Sequence, residues 1–205
     1  MLLIVQKYIN KMSEINLSKF YSKFPVIELG EYTLRDLMLS DKEHYYEMMA
    51  DEEVVQYLSD EDIPKSVSEA ESEIKFWGGL FYRKISVFWA LANTQTNEFM
   101  GTVGYNSWNV YNKRAEISYD LIRRYWRKGI MTKALNNALI FGFQTMGLQR
   151  IEARTMLDNI PSQKILEKLG FKKEGVLRSY RVIRGKPTDI VLYSLIKSDF
   201  SSFLA

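Results

Sequence analysis

The chain has 205 residues, 46% of them hydrophobic and 26% charged, with a formal net charge of +3, a composition that supports one good core and predicts a single globular domain. It holds no cysteine and one histidine, His44, which excludes disulfides, thiolate nucleophiles and metal sites built from cysteine or several histidines, and fits a reducing, cytoplasmic setting. The basic residues gather near 123–128 and 178–186 without forming a continuous tract, and the apolar run in residues 1–9 is broken by Gln6 and Lys7, so neither nucleic-acid binding nor a signal peptide or membrane span is expected.

Residues 1–25 read as an N-terminal extension with no assigned role, and residues 26–205 as the domain. Within it, residues 31–37 read as a strand, and Ser40 is placed to cap a helix over 41–50. His44 falls in that helix, where a structural or surface role is expected. Pro64 punctuates a turn, and Ala70, Ile74, Trp77, Leu80 and Phe81 recur at helical spacing through 66–84. Phe76, Trp77, Phe81 and Tyr82 read chiefly as core. Residues 86–93 and 98–108 form two strands around the polar turn 94–97.

Residues 115–122 alternate, with Glu116, Ser118 and Asp120 on one face and Ile117, Tyr119 and Leu121 on the other, the pattern of a half-buried strand. After a basic turn, Met131, Ala134, Leu135, Ala138, Leu139, Gly142 and Met146 make one helical stripe that Gly147 ends. Residues 150–157 follow as a strand, 160–169 as a short helix ended by Gly170, and 171–181 and 188–197 as two strands turning at 184–187. Two strand-helix-strand crossovers within 115–171, with strands dominating the first and last thirds, predict a mixed α+β sheet.

The basic turn is the most informative local feature. A helix starting near Lys128 or Gly129 leaves its first N–H groups unpaired and directs its positive end at whatever occupies the turn. Arg123, Arg124, Arg127 and Lys128 stand beside that end, where cations are mildly unfavourable unless an anion offsets them. Gly129 lets a backbone approach with no Cβ in the way. A Walker A loop needs G-x-x-x-x-G-K-S/T and a dinucleotide turn needs G-x-G-x-x-G; neither fits a single glycine followed by Ile130 and Met131.

The run Y-W-R-K-G-I-M-T-K-A-L around Gly129 closely resembles the Y-W-G-K-G-x-x-T-E-A-L run of the ribosomal-protein N-terminal acetyltransferase branch of the GNAT superfamily. Against the family's general Q/R-x-x-G-x-G/A pattern, which falls on Trp126, Gly129 and Met131, only the glycine matches. The branch's other segments resemble T-L-R-D-L-M-L-S-D at 33–41, M-G-T-V-G at 100–104, R-A-E-I-S-Y-D-L at 114–121 and D-N-I-P-S-Q-K-I-L-E-K-L-G-F-K-K-E-G at 158–175. They occur in the expected order over about residues 31–197.

The resemblance implies a single-domain GNAT-like α+β fold, a mixed, mostly antiparallel sheet flanked by helices. It implies acetyl-CoA as co-substrate, no metal, and transfer of acetyl to a primary amine. The nearest acceptor is the N-terminal α-amine of a protein, ribosomal proteins among them, with polyamines, amino acids or antibiotics as alternatives and a CoA-binding module without catalysis as a further reading. The amides of Arg127, Lys128, Gly129, Ile130, Met131 and Thr132 would hold the pyrophosphate, and backbone groups of Leu121 and Ile122 would pair with the pantetheine arm, with donors near Ile122 facing the developing oxyanion. Asn159 would bond the same arm, and Ser162, or more remotely Tyr180, would protonate the departing thiolate. Asn159 and Ser162 also read as helix caps.

On the residues alone, Glu116 is the candidate base, because a carboxylate on the polar face of the strand feeding the turn can take a proton from the attacking amine; Asp120 on the same face is the reserve. With no cysteine, and no evident histidine base for a serine because His44 is unpromising, direct attack by the amine in a ternary complex is expected.

Overall fold

In a computed structural model of the chain, residues 17–204 are described, with side chains through residue 200; the apolar run at 1–9 lies outside the described residues. One sheet of eight strands organises the rest: β1 (Ile27–Glu28), β2 (Tyr32–Arg35), β3 (Phe88–Asn93), β4 (Phe99–Asn109), β5 (Arg114–Leu121), β6 (Arg150–Met156), β7 (Lys172–Ile183) and β8 (Lys186–Ile196), in the order β1-β2-β3-β4-β5-β6-β8-β7. The helices are α1 (Leu17–Phe20), α2 (Lys42–Met49), α3 (Glu52–Val55), α4 (Val67–Tyr82), α5 (Ile130–Gln144), α6 (Ile160–Lys168) and α7 (Lys197–Leu204). No described helix is long and apolar enough to cross a membrane.

Neighbouring strands pair antiparallel except β5 and β6, which are parallel and joined by the α5 crossover such a pair requires. The second crossover, through α6, also joins two strands of one direction, but β8 comes between β6 and β7 and pairs antiparallel with both. The β3–β4 turn forms because Asn93 Oδ1 accepts the N–H groups of Gln95 (2.9 Å) and Thr96 (3.0 Å), an Asx turn.

Two apolar clusters cover the two faces. Leu135, Leu139 and Phe143 of α5 pack with Val103, Tyr105, Ile117 and Ile151 on one side; Tyr45, Met48, Ile74 and Leu80 of α2 and α4 pack with Phe88, Ala90, Phe99 and Ile122 on the other. Gly142 permits the close approach of α5, since a Cβ there would lie 2.2 Å from the Tyr105 hydroxyl oxygen, which donates to the Ala138 carbonyl at 2.8 Å.

One local expectation is corrected. Ser40 does not cap the first long helix: it lies in a 3-10 turn, and α2 starts at Lys42 behind Asp41. Asp41 makes no cap bond either; its carboxylate takes both terminal nitrogens of Arg35 at 2.8 Å and the Met38 N–H at 2.9 Å. Arg35 is buried, and an unpaired buried guanidinium would cost far more than a missing cap. The described part of residues 1–25 is also built into the fold: Phe20 lies 5.1 Å from Trp108 and 5.9 Å from Phe141 between ring centroids, and Trp89 donates its indole N–H to the Pro25 carbonyl at 2.7 Å.

Candidate active site

The site begins where the sheet splits. β5 and β6 pair only at Arg114/Arg150, Ala115/Ile151 and Glu116/Glu152. Beyond Glu116, β5 stays with β4 as far as Leu121 opposite Gly101, while β6 stays with β8 as far as Met156 opposite Ile190. A slot therefore opens between two strands whose facing edges have no partner. Its cause is in β4, where the register slips between Tyr105 and Ser107. Asn106 is the extra residue, its Oδ1 taking the Ser118 hydroxyl at 2.5 Å, and such a bulge bends the paired strands away from their neighbour.

At the mouth of the slot a 3-10 turn, Arg123–Tyr125, leads to Gly129 at φ +75°, a left-handed conformation with nothing within 4 Å of where a Cβ would stand. The first α5 bond runs from Lys133 N–H to the Gly129 carbonyl at 3.1 Å, so the amides of residues 129–132 precede the ladder and point off the helix end. Ile130 and Met131 bury their side chains, and Arg127, Lys128 and Gly129 are exposed. The four cations of the turn are not equivalent. Arg123 Nε pairs with Asp51 at 2.8 Å, and Arg124 bridges Glu47 at 2.6 Å and Glu98 at 2.9 Å; these carboxylates supply the anion that the sequence led us to expect from a ligand. Arg127 and Lys128 form no ion pair among the described residues, and Lys128 lies 5.5 Å from the Tyr125 ring centre.

Leu121 and Ile122 differ in what they offer the slot. Ile122 gives its N–H to the Met100 carbonyl and receives the Tyr125 N–H, both at 2.9 Å, so its backbone is occupied and the expected donor there is corrected. Successive residues of an antiparallel ladder alternate between bonding their partner and facing outward, which turns the Leu121 N–H to the slot. The Leu121 carbonyl accepts the Trp126 indole N–H at 2.7 Å, pinning the turn to the strand.

Asn159 caps α6, accepting the Ser162 N–H at 3.1 Å. Ser162 Oγ in turn lies 2.7 Å from the Tyr119 hydroxyl. Tyr119 was missed as a functional residue because its strand face reads as apolar; the alternation that places it opposite Asp120 is the signal that could have found it. Burial pushes its hydroxyl up to about 12, so it stays protonated. Tyr180 is not at this place: it is half exposed, with the Arg154 guanidinium 5.5 Å from its ring centre.

On the opposite face of β5, Glu116 is ion-paired to Arg154, which leans on Glu152 at 3.6 Å. Glu152 also takes Arg150 at 2.7 Å and Arg114 at 3.4 Å, and Arg114, Glu116, Glu152 and Arg154 line a cavity of about 310 Å³. Farther along, Asp120 accepts the Thr102 hydroxyl at a long 3.4 Å. Burial pushes its carboxyl from 3.8 to about 6; the Thr102 bond opposes this and the charges of Glu73 and Asp62 add to it. Tyr45 donates to Glu73 Oε2 at 2.7 Å. Above them, the segment around Asp62 meets the β7–β8 hairpin through Arg181–Asp62 at 3.9 Å and Arg184–Asp60 at 3.7 Å. Trp77 stacks on Phe88 with 4.8 Å between centroids and Phe81 is buried, whereas Phe76 and Tyr82 are exposed. Among the described residues no group of His, Asp and Glu side chains is arranged to hold a metal ion.

A mixed sheet split beside a parallel pair, with a helix N-terminus at the mouth of the split, defines a GNAT-type N-acetyltransferase. The model of the acetyltransferase (GNAT) domain matches residues 32–172. The uncharacterized N-acetyltransferase YoaA of Bacillus subtilis is 34% identical over 174 residues, 85% of this chain and 98% of that protein. The [ribosomal protein uS5]-alanine N-acetyltransferase of Escherichia coli is 30% identical over 125 residues, 59% of this chain and 63% of its own length. Among solved structures, the Microcin C7 self immunity acetyltransferase MccE, in complex with acetyl-CoA and AMP, superposes with a TM-score of 0.74 over 83% of this chain and 95% of its own, at 24% identity. The chain belongs to the GNAT acetyltransferase family and is an acyltransferase.

Proposed function

We propose that this protein transfers the acetyl group of acetyl-CoA to the N-terminal α-amine of a protein, ribosomal proteins being the first acceptors to try. The observation that carries the reading is the slot between β5 and β6 with free helix amides at its mouth. A flat, fully paired sheet would have no room for an extended thioester arm. Acetyl-CoA supplies the activated acetyl group. The amides of residues 127–132, with Arg127 and Lys128, hold its pyrophosphate, and Gly129 presents no Cβ to obstruct that approach. The Leu121 N–H, which the strand alternation turns to the slot, serves in this reading as the oxyanion donor. Asn159 supports the pantetheine arm, and Ser162 returns a proton to the departing sulfur. No acyl-enzyme is needed, since the chain has no cysteine.

The acceptor follows from proton energetics together with the relative named for uS5 alanine. An α-amine titrates near 7.8 and a lysine near 10.4, so presenting neutral lysine at pH 7 costs about 3.5 kcal/mol more. Peptides with free N-termini should therefore be acetylated faster than the same peptides blocked at the terminus and carrying an internal lysine, as read by mass spectrometry. Equal or greater modification of lysine sinks the N-terminal reading. Turnover only with polyamines, amino acids or antibiotics moves the acceptor to a small molecule, and acetyl-CoA binding without turnover on any amine leaves a binding module.

A further inference from the structure

We infer that Asp120, and not Glu116, takes the proton from the attacking ammonium group, with Glu73, held by Tyr45, as the neighbouring charge that tunes it. The inference rests on the acetyl-transfer reading and assigns a residue within it.

Four polar residues of β5 alternate onto one face, Arg114, Glu116, Ser118 and Asp120, and three of them are engaged, Arg114 with Glu152. Glu116 stands at the last rung where β5 and β6 still pair, bound to the Arg154 guanidinium. Its carboxylate is committed to that cation and would have to leave it to meet an amine. The Ser118 hydroxyl is committed to Asn106. Asp120 sits beside the open part of the slot with one long hydrogen bond, from Thr102, and no cation is paired with it among the described residues.

The two faces of β5 then divide the proton traffic. Because side chains alternate along a strand, Tyr119 with Ser162 lies on one side and Asp120 on the other, flanking the slot. The amine arrives from the Asp120 side and the thiolate departs toward Ser162. The Asp120 carboxylate takes one ammonium proton, and the lone pair so freed forms the C–N bond at the thioester carbon. The C–S bond breaks as the Ser162 hydroxyl gives its proton to sulfur. The second proton shed by nitrogen restores that hydroxyl, and Asp120 releases its own to solvent, one proton per acetyl group transferred.

The groups that face Asp120 are Glu73 of α4, Asp62 of the 3-10 turn Asp60–Asp62, the Tyr45 hydroxyl of α2 and Thr102 of β4, while Tyr119, on the opposite face, feels its charge. Burial and the two like charges hold its carboxyl near 6, close enough to neutral pH for a base to be ionised and still able to accept a proton.

The test is the pH dependence of kcat/KM with one accepted amine, for the wild-type protein and three variants, alongside acetyl-CoA affinity by calorimetry. Asp120→Asn should lower kcat/KM by about 10²-fold or more and flatten the acid limb, with acetyl-CoA affinity retained. Glu116→Gln should keep the limb, and Glu73→Gln should remain active with the limb moved to lower pH. An Asp120→Asn variant with undiminished turnover overturns the assignment, as does loss of the limb in Glu116→Gln or an unmoved limb in Glu73→Gln. The last does not depend on how well Asp120→Asn folds. Absence of turnover by the wild-type protein on any amine overturns the transfer reading, and the assignment with it.

Discussion

The hydroxyl of Tyr119, midway along β5, stands 2.7 Å from the hydroxyl oxygen of Ser162 in the first turn of α6. The Asn159 cap holds the Ser162 backbone from below, so the serine is fixed by both its side chain and its amide. A serine alone is a poor acid. Where the half-buried, protonated Tyr119 phenol is the donor of the pair, the serine keeps its own hydrogen for a departing thiolate, the role proposed for it.

Ser162→Ala should therefore lower kcat by about 10²-fold, the lower range for loss of an acid or base, with acetyl-CoA affinity changed only a few-fold. Tyr119→Phe should cost less, about 10-fold, because it acts through Ser162. Rates from thiol release, set against calorimetric affinities, check both. A loss appearing in affinity and not in kcat would make the pair a binding element.

Gly129 should separate stability from ligand approach. A left-handed non-glycine residue costs about 1–2 kcal/mol, and nothing in the protein opposes the added Cβ, so Gly129→Ala should lose about that much in urea unfolding. Gly129→Glu, adding bulk and like charge, should weaken acetyl-CoA binding further than Gly129→Ala does. Unchanged affinity in Gly129→Glu would move the pyrophosphate away from this turn.

Asp120 should be held at the expense of stability. Its folded carboxyl is raised from 3.8 to about 6, so between those values the folded state binds more protons than the unfolded chain and stability falls as pH rises. Above about 6 the whole penalty is present, up to roughly 3 kcal/mol at about 1.36 kcal/mol per pH unit. Asp120→Asn is then more stable than the wild-type protein at pH 7 by at most that amount, with the difference fading below about pH 4. Urea denaturation at both pH values reads it, and a variant less stable at pH 7 would show that the ionised carboxylate supports the fold.

The amino-acid sequence by itself determined the elements and the faces of this protein: the α5 stripe, the two faces of β5, the glycine before a helix N-terminus and the cap at Asn159. These depend on periods of two and 3.6 residues and on backbone preferences that act over a few positions. Even locally the rule failed at Asp41, where a buried arginine six residues earlier in the chain claimed the carboxylate. Only the tertiary structure decided which polar groups are free. Glu116 is engaged by Arg154, 38 residues away, Tyr119 meets Ser162 across 43, and Arg124 is neutralised by Glu47 across 77. The slot depends on a one-residue slip in β4 and on where β6 leaves β5 while keeping β8 on its other edge. Strand pairing over such separations is set by how the whole sheet packs between its two helical layers, and no local pattern encodes it.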